Sequence, residues 1–390
     1  MNIKDIKDLF DVKPSIWLGN YPPYDTPMVD ILRSASYRLA QELHGKYKIV
    51  WFYESLLSNN SGWKIIVDEM IRLIKDDGIV VIRFEQNNFV NIIELKNYFG
   101  RSKVLDNVDV IYQKVDEGIY SIVFKIKRKN FTIYQNKAWS FAVLTQGNKV
   151  ENVINFCDSV RKNDMNNQHE IIICGPKNAL YEKFNVKYIE KEYRKDFAEI
   201  SMKKNDIINM CQNDNLLIAH DRYILNDDFF IGFERYGYDF DFLTIRQQYE
   251  NGKKFPSYLK LEKNMKWSSV LFTDDESLFD DNFFLNGGLL IFKKKTIQSI
   301  YFNKLLFWNE AEDVELSYQM INNSIPPRQN YLSSATTIGI NPEYTATFIE
   351  IKRPALYKKF FTRLFDKSFK IVKRILPQTL KNHIKKVLFK

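Results

Sequence analysis

Apolar and polar residues alternate along the first third of the chain in the order expected of an α/β sheet. KIVWFY, residues 48–53, is an apolar run suited to a buried strand, and WKIIVDEMIRLIK, residues 63–75, places its apolar residues at helical spacing. An Asp-Asp-Gly break then precedes a second strand, and a further helix and two strands around the turn at 116–118 follow. The pattern predicts a small α/β domain over residues 1–130.

A second alternation begins after a polar linker and runs from residue 139 to about 335. Three of its strand patterns end in TQG, CGP and AHD, with the helical pattern NKVENVINFCDSVRK after the first and SMKKNDIINMCQ before the third. Parallel strands joined by helices form a doubly wound sheet, and such sheets bind ligands beyond the carboxyl ends of their strands. The residues expected to line that crevice are Thr145, Gln146, Gly147, Gly175, Pro176, His220 and Asp221.

The last forty residues follow a third pattern, in which apolar residues form one helical stripe and most lysines lie off it. Residues 351–390 contain 13 Lys or Arg and a single acid, whereas residues 1–350 contain 44 basic and 47 acidic residues. A basic amphipathic helix is typical of segments that lie on an anionic membrane. The alternatives are a helix packed on its own domain or one that binds nucleic acid, but the nearly neutral body disfavours nucleic acid as a partner.

Composition and cysteine usage bound the class of protein. Of the 390 residues, 45% are hydrophobic and 15% aromatic, which is enough for two packed cores. Cys157, Cys174 and Cys211 lack metal-ligand spacing and are predicted to be reduced and buried. No apolar run resembles a signal peptide or reaches the ~20 residues of a membrane-spanning helix. We therefore expect a cytoplasmic protein, peripheral on the inner face of the cytoplasmic membrane.

An adjacent acidic pair marks the candidate chemistry. WNEAEDVELSYQM places Glu312 and Asp313 in the first turn of a helix that follows Trp308. A positioned carboxylate can take a proton from a hydroxyl, so Asp313 is the candidate general base, with Glu312 beside it. The amino end of a helix also favours carboxylates, and capping is the alternative role. In FFLNGGLLIF, Gly287 and Gly288 permit close approach of backbone to a ligand, or form a plain turn.

The order of these segments, over about half the chain, resembles the inverting family 2 type glycosyltransferases of the GT-A fold. TQG stands where that family binds the nucleobase, ISMKKN where it carries a basic residue and Asn, and AHDR where it has its DXD metal motif; NGG and EDVELS match the acceptor and base regions. The resemblance implies a GT-A type doubly wound mixed sheet that binds a nucleotide sugar. It assigns donor contacts to Thr145, Gln146, Gly147, Lys204, Asn205 and Arg222, and acceptor contacts to Gly287, Gly288 and Trp308.

The metal motif departs from that family, because His220, Asp221 and Arg222 stand in place of its two aspartates. In one interpretation, His220 and Asp221 bind a divalent Mn or Mg ion that bridges the donor phosphates. In a second, Arg222 itself neutralises the diphosphate and no metal is needed. A third assigns His220 only a structural role at the end of a buried strand.

The N-terminal region weakly resembles the C-terminal half of a class I methyltransferase. The resemblance rests on IKDDGIVVIRF and the hairpin after it, within residues 46–129. The first 45 residues contain no glycine-rich loop of the kind that holds a dinucleotide or adenosyl cofactor. We therefore expect no adenosyl methionine there, and predict a cofactor-free scaffold or partner-binding domain.

Taken together, the sequence predicts an α/β protein with a GT-A type mixed sheet over residues 139–350, preceded by the smaller α/β domain and followed by the basic amphipathic tail. The predicted function is an inverting glycosyltransferase of the hexosyltransferase type. It would move a sugar to a glycan or lipid-linked acceptor in lipopolysaccharide O-antigen or capsule biosynthesis. The alternative is a non-catalytic sugar-nucleotide or glycan-binding module, which the altered metal motif favours, and a methyltransferase is a third possibility.

Overall fold

The computed structural model describes residues 6–340, apart from a few short gaps. Two predictions lie outside the described residues: the basic tail over residues 351–390 and the acceptor contact of Trp308. Within the described ranges, no helix is both long enough and apolar enough to span a bilayer. The gaps are residues 7, 10, 35, 130, 163, 165–167, 195–197, 264, 265, 274, 308 and 309.

The N-terminal sheet has six strands in the order β2-β1-β3-β4-β6-β5, with β2, β1, β3 and β4 parallel and β6 antiparallel to both neighbours. It confirms the predicted order of strands, helices and final hairpin, and adds two short strands at its start. The elements are β1 Ser15–Leu18, β2 Met28–Val29, β3 Tyr47–Phe52, α1 Trp63–Leu73, β4 Ile74–Glu85, α2 Ile92–Arg101, β5 Leu105–Asp116 and β6 Ile119–Arg128.

The larger sheet has nine strands in the order β11-β18-β12-β17-β10-β7-β8-β9, with β13 on β12. Strands β10, β7, β8 and β9 are parallel, and β17 runs antiparallel between β10 and β12, which makes the sheet mixed. Its strands are β7 Trp139–Leu144, β8 Glu170–Cys174, β9 Val186–Ile189, β10 Asn215–His220, β11 Tyr223–Leu225, β12 Phe242–Tyr249, β13 Lys254–Phe255, β17 Leu289–Lys293 and β18 Arg328–Thr337.

Helices and a small third sheet complete this half of the molecule and confirm the predicted α/β class. The described cysteines are free and buried, as expected. The helices are α3 Val150–Arg161, α4 Ile200–Met210, α5 Asp228–Tyr236, α6 Lys294–Gln298 and α7 Glu312–Asn322. The third sheet, in the order β15-β14-β16, consists of β14 Tyr258–Lys263, β15 Lys266–Phe272 and β16 Phe283–Leu285.

A buried charged cluster, here called the seam, joins the two large sheets. Its centre is the adjacent acid pair Asp68 and Glu69 on α1, both almost fully buried. Arg72 lies 2.8 Å and Arg328 3.0 Å from the Asp68 carboxylate, while Glu69 contacts Arg38 and His44. The seam consists of Arg38, His44, Asp68, Glu69, Arg72, Arg128, Asp239, Asp241, Glu276 and Arg328.

The seam also fixes the segment that leads into the candidate site. Arg328 donates to Glu276 at 3.0 Å, and the Ser61 hydroxyl donates to the Ser277 carbonyl at 2.7 Å. Lys64, on α1, forms an ion pair with Asp281. Because residues 276–281 run directly into β16 and the glycines after it, the N-terminal sheet helps to position the candidate site.

Candidate functional site

Three parallel strands of the larger sheet end level with one another at one edge. The register pairs Leu144 with His220 on one side and with Cys174 on the other. Beyond these ends, the Thr145 hydroxyl donates to Asp221 Oδ2 at 2.8 Å and accepts from the Gly147 amide at 3.0 Å. The structure therefore brings the residues of the predicted crevice together.

Close backbone packing explains the glycines of this crevice. A Cβ on Gly175 would lie 2.5 Å from the Thr145 carbonyl oxygen. Gly147 has φ +87°, in the left-handed region that favours glycine, and faces Pro176. Gln146, which stands between Thr145 and Gly147 in the sequence, is exposed. Any larger residue at position 175 would push the strand ends apart.

His220 and Arg222 give the crevice an unusual electrostatic character. His220 Nε2 is buried without a hydrogen-bond partner among the described residues, and so is Arg222 Nε. Burial lowers the pKa of His220 well below its ordinary value, and the positive charges of Arg222 and Lys204 lower it further. His220 is therefore neutral near pH 7, and the Arg222 guanidinium group belongs to the residue just before β11.

The groups around Asp221 bear on the divalent cation predicted for His220 and Asp221. Among the described residues, no group of three or more His, Cys, Asp or Glu side chains is placed to hold a metal ion. Asp221 accepts from Thr145 and has the Lys149 ammonium 3.9 Å from its other oxygen. Four cationic side chains lower the pKa of His220, namely Arg222, Lys204, Lys149 and Lys203. This charge distribution suits an anion, and metal binding by His220 and Asp221 stays a prediction without support from the geometry.

A turn at Asn286, Gly287 and Gly288 connects the crevice to the acid pair. The Gly287 amide donates to Asp313 Oδ2 at 2.7 Å, and the Gly288 carbonyl accepts from the His220 amide at 2.9 Å. A Cβ on Gly288 would lie 2.6 Å from Arg222 Nη2, and one on Gly287 would lie 2.9 Å from the Asp313 Cβ. Close approach therefore favours glycine at both positions, at 288 also because a Cβ would lie 2.7 Å from the hydroxyl of the buried Tyr223.

The acid pair at the start of α7 is asymmetric. The fully buried Lys204 ammonium lies 3.0 Å from Glu312 Oε1 and donates to the Gly287 carbonyl at 2.9 Å. Glu312 is only 7% exposed, whereas Asp313 is half-buried. Burial raises the pKa of Asp313 to about 6, and the neighbouring Glu312 charge raises it as well, against the opposing effect of Lys204. Asp313 is thus the accessible carboxylate, with a pKa suited to proton transfer near neutral pH.

Asp313 also accepts a hydrogen bond at the start of α7, as expected if the acid pair caps the helix. Asp313 Oδ1 accepts from the Val314 amide at 2.9 Å, within the first turn of α7. Its other oxygen bonds across to Gly287, and Ala311, at the N-cap with φ +62°, makes no side-chain capping bond. A non-glycine residue in this conformation costs of order 1–3 kcal/mol and is common where a functional group is held in place.

Two predicted donor residues have contacts of their own in the structure. Lys204 is engaged by Glu312 and Gly287, as described above. Asn205 donates to the Phe302 carbonyl and accepts from the Phe302 amide, both at 2.9 Å. Its side chain therefore braces the loop after α6, and the donor role of Asn205 stays a prediction.

Sequence reasoning missed three residues that complete the site. Lys149 and Asn152 lie at the start of α3, and Asn152 donates to the Asp221 carbonyl at 3.0 Å. Asn286 accepts from the Gly288 amide at 2.9 Å and holds the glycine turn. The sequence does carry a signal for these residues. Lys149 and Asn152 follow TQG at a helix start, and Asn286 directly precedes the glycine pair.

Comparison with known proteins gives only distant similarities. No protein-family model matches the chain, and no curated protein matches it by sequence. TarS 1–349 from S. aureus is 14% identical, with a TM-score of 0.34, and the match covers 51% of this chain and 60% of that one. GalNAc-T7 with UDP, GalNAc and Mn2+ is 13% identical, with a TM-score of 0.40 and coverage of 51% and 43%. The mannosyltransferase PcManGT from Pyrobaculum calidifontis, with GDP-Man and Mn2+, is 8% identical, with a TM-score of 0.37 and coverage of 54% and 59%.

Proposed function

We propose that the protein is a glycosyltransferase that moves a sugar from a nucleotide-diphosphate donor to a hydroxyl group of an acceptor. One observation carries the proposal: an accessible Asp313 with a pKa of about 6 lies across a glycine turn from a cationic crevice at the strand ends. Such a transfer needs a base for the acceptor and positive charge for the departing diphosphate. Both are present within one site.

The base acts on the acceptor. Asp313 takes the proton of the acceptor hydroxyl while the hydroxyl oxygen attacks the anomeric carbon. The bond from that carbon to the diphosphate oxygen breaks, and the diphosphate leaves with the electron pair. A single displacement of this kind inverts the anomeric configuration. Lys204 forms an ion pair with Glu312, which leaves Asp313 as the carboxylate that takes up and releases the proton.

The leaving diphosphate lies, in this proposal, against Arg222 and Lys149. Arg222 presents a planar guanidinium suited to phosphate oxygens, and Lys149 precedes the amino end of α3, where backbone amides favour anions. Thr145, Gln146 and Gly147 form the adjoining part of the crevice and contact the nucleoside. No step of this proposal is routed through a metal ion, and metal binding by His220 and Asp221 stays a prediction.

The finer assignment concerns the acceptor and the cellular site. We infer a glycan or lipid-linked acceptor in surface polysaccharide biosynthesis, handled on the inner face of the cytoplasmic membrane. The sequence pattern of residues 351–390 supports the membrane part of this proposal, because a basic amphipathic helix favours an anionic surface. Co-sedimentation of the full chain with phosphatidylglycerol vesicles, but not with phosphatidylcholine vesicles, is the expected result.

The test of the transferase proposal separates binding from transfer. Thermal-shift screening of UDP, GDP and their sugars, with and without Mn, identifies the donor, and product formation is then measured on an acceptor panel. Asp313→Asn is expected to bind the donor normally and to lose about 10²–10⁴-fold in rate. Glu310→Gln, which changes an exposed acid just before the pair, is the matched control and should transfer normally.

A second candidate is a sugar-nucleotide binding module without catalysis. It is favoured by the altered metal motif, in which His220 and Arg222 stand in place of the two aspartates of the resembled family. Donor binding by the wild-type protein with no transfer to any acceptor would favour this candidate. Full transfer by Asp313→Asn would instead reject Asp313 as the base.

A further inference from the structure

The buried Lys204 ammonium group connects the acid pair to the glycine turn. Lys204 lies on α4, and its Nζ is 3.0 Å from Glu312 Oε1 and 2.9 Å from the Gly287 carbonyl oxygen. The Phe302 ring centre lies 4.9 Å from the same nitrogen. Because the Lys204 side chain is fully buried among these groups, a donor phosphate does not reach it in this arrangement.

Gly287 extends this connection to the candidate base. Its carbonyl accepts from Lys204, and its amide donates to Asp313 Oδ2 at 2.7 Å. A Cβ on Gly287 would lie 3.1 Å from Glu312 Oε1 and 2.9 Å from the Asp313 Cβ. Both acids of the pair therefore pack against one glycine, and Lys204 bonds to that glycine and to Glu312 at the same time.

A buried hydroxyl fixes the start of α7 to the same stretch of chain. Ser317, fully buried one helical turn after Asp313, donates to the Asp313 carbonyl at 2.8 Å and accepts from the Leu285 amide at 3.2 Å. Leu285 ends β16, an edge strand of the third sheet, and Gly287 follows two residues later. Side chains of α7 therefore satisfy amides along this strand edge, and they hold the first turn of the helix against it.

The charges at this turn act on Asp313 in opposite directions. Burial raises the pKa of Asp313 and the charge of Glu312 raises it further, whereas the charge of Lys204 lowers it. Arg222 is the charged side chain that lies against the next residue of the turn, Gly288. The ion pair between α4 and α7 thus contributes one charge of each sign beside the candidate base.

We infer that Glu312 and Lys204 are positioning residues of the proposed transfer, which act through Asp313 and the Gly287 turn rather than by contact with the donor. The inference deepens the proposed function and rests on it. Lys204 holds Glu312 in place, and Glu312 keeps a negative charge beside the base. Asp313 then exchanges its proton near neutral pH, where a base is most effective. Removing one charge of the ion pair therefore differs from removing both.

The test compares the pH–rate profiles of three full-length proteins: wild type, Glu312→Gln and Lys204→Met/Glu312→Gln. In Glu312→Gln the like charge is gone and Lys204 acts unopposed, so the midpoint of the acid limb is expected to fall by about one pH unit. In the double variant neither charge acts, and we expect the midpoint to return toward about 6. Glu310→Gln, which changes an exposed acid before the pair, is the matched control and should keep the wild-type midpoint.

A second measurement follows the same carboxyl group without donor or acceptor. The ¹³C chemical shift of labelled aspartate carboxyl groups reports protonation, and the signal that is lost in Asp313→Asn belongs to Asp313. Its midpoint is expected to change among the three proteins as the rate profile does. Thermal unfolding of each variant checks that the fold is intact across the pH range.

Ser317→Ala serves as the structural comparison. It loosens the contact between α7 and β16 without changing a charge. We expect it to lower the rate about 10–100-fold at every pH, because the base is less well placed, and to leave the midpoint unchanged.

The outcomes separate this inference from the proposed function. A carboxyl midpoint that falls in Glu312→Gln and returns in the double variant, with no transfer by wild type, would reject the transferase and keep the effect of the ion pair on Asp313. Transfer with the same midpoint in all three proteins would overturn this inference alone. A lower rate at every pH in Glu312→Gln, with an unchanged midpoint, would give Glu312 only the structural role of Ser317 and would overturn it as well.

Discussion

Two adjacent acid pairs lie on helices of this protein, and their surroundings give them opposite properties. Asp68 and Glu69 of the seam are met by three arginines and a histidine, and the pKa of Glu69 lies well below its ordinary value because Arg38 and His44 outweigh burial. Among the residues that the structure describes, Glu312 and Asp313 have one ion-pair partner, Lys204, and the pKa of Asp313 is raised to about 6 by burial and by Glu312.

The difference shows how the charges around a buried acid pair set the direction in which the pKa of a carboxylate moves. Burial penalises every carboxylate, and close opposite charge and donated hydrogen bonds offset that penalty. The seam supplies enough positive charge to hold the pKa of Glu69 well below its ordinary value. The candidate site supplies one cation for two acids, which leaves Asp313 able to gain and lose a proton near neutral pH.

The largest expected effect is on the seam. Glu69→Gln removes a charge to which Arg38, His44 and Arg328 are matched, and leaves buried arginine charge uncompensated. We expect a loss of about 3–5 kcal/mol in the free energy of unfolding, the usual cost of breaking a buried ion pair. Urea unfolding measures it, with Glu94→Gln on the surface of α2 as the control. Equal stability of the two variants would show that the seam is not needed for folding.

The second prediction concerns pH. Asp313 must be ionised to act as a base, so transfer is expected to fall as pH drops below about 6, by about tenfold per pH unit. The fold should persist at pH 5. The pKa of Glu69 is depressed in the folded state, so its stabilising contribution is fully present at any pH above its unfolded pKa of 4.5. Burial raises the pKa of Glu276 to about 7, so protonation of Glu276 below that pH favours the folded state.

A rate profile from pH 5 to 8, with circular dichroism at each pH, tests this prediction. A profile that stays flat through pH 6 would contradict the assignment of Asp313. Loss of the circular dichroism signal together with activity would assign the pH dependence to unfolding instead.

The smallest expected effect is on the stability of the candidate site. The folded-state pKa of Asp313 exceeds its unfolded value of 3.8, so the free energy of unfolding falls as the pH rises from about 4 to about 6. Asp313→Asn removes this cost of about 3 kcal/mol but weakens the bond that the Gly287 amide donates to the carboxylate, so we expect a net gain of about 1 kcal/mol at pH 8 and a smaller one at pH 4. Thermal unfolding at both pH values measures the difference. A marked loss of stability at pH 8 would place Asp313 with the seam carboxylates.

Much of the fold is visible in local patterns. The alternation of helix and strand, the strand ends at Leu144 and His220, and the acidic start of α7 follow from hydrophobic periodicity and helix-terminal preferences, which act over a few residues. The short strands β1 and β2 were missed because four and two residues carry too little periodicity. Strand β4 begins at Ile74, directly after α1, because Tyr47 pairs with Ile74 across the sheet.

The partners of the charged residues were not visible in the sequence. Asp68 and Glu69 lie in a helical pattern that gives no sign of Arg328, about 260 residues further along the chain. Lys204 reaches Glu312 across 108 residues, and Asn205, expected at the donor, braces Phe302 instead. Periodicity and residue type therefore determined the elements and the candidate chemistry. Only the tertiary structure decided which carboxylates are neutralised, because that depends on charges brought together from distant parts of the chain.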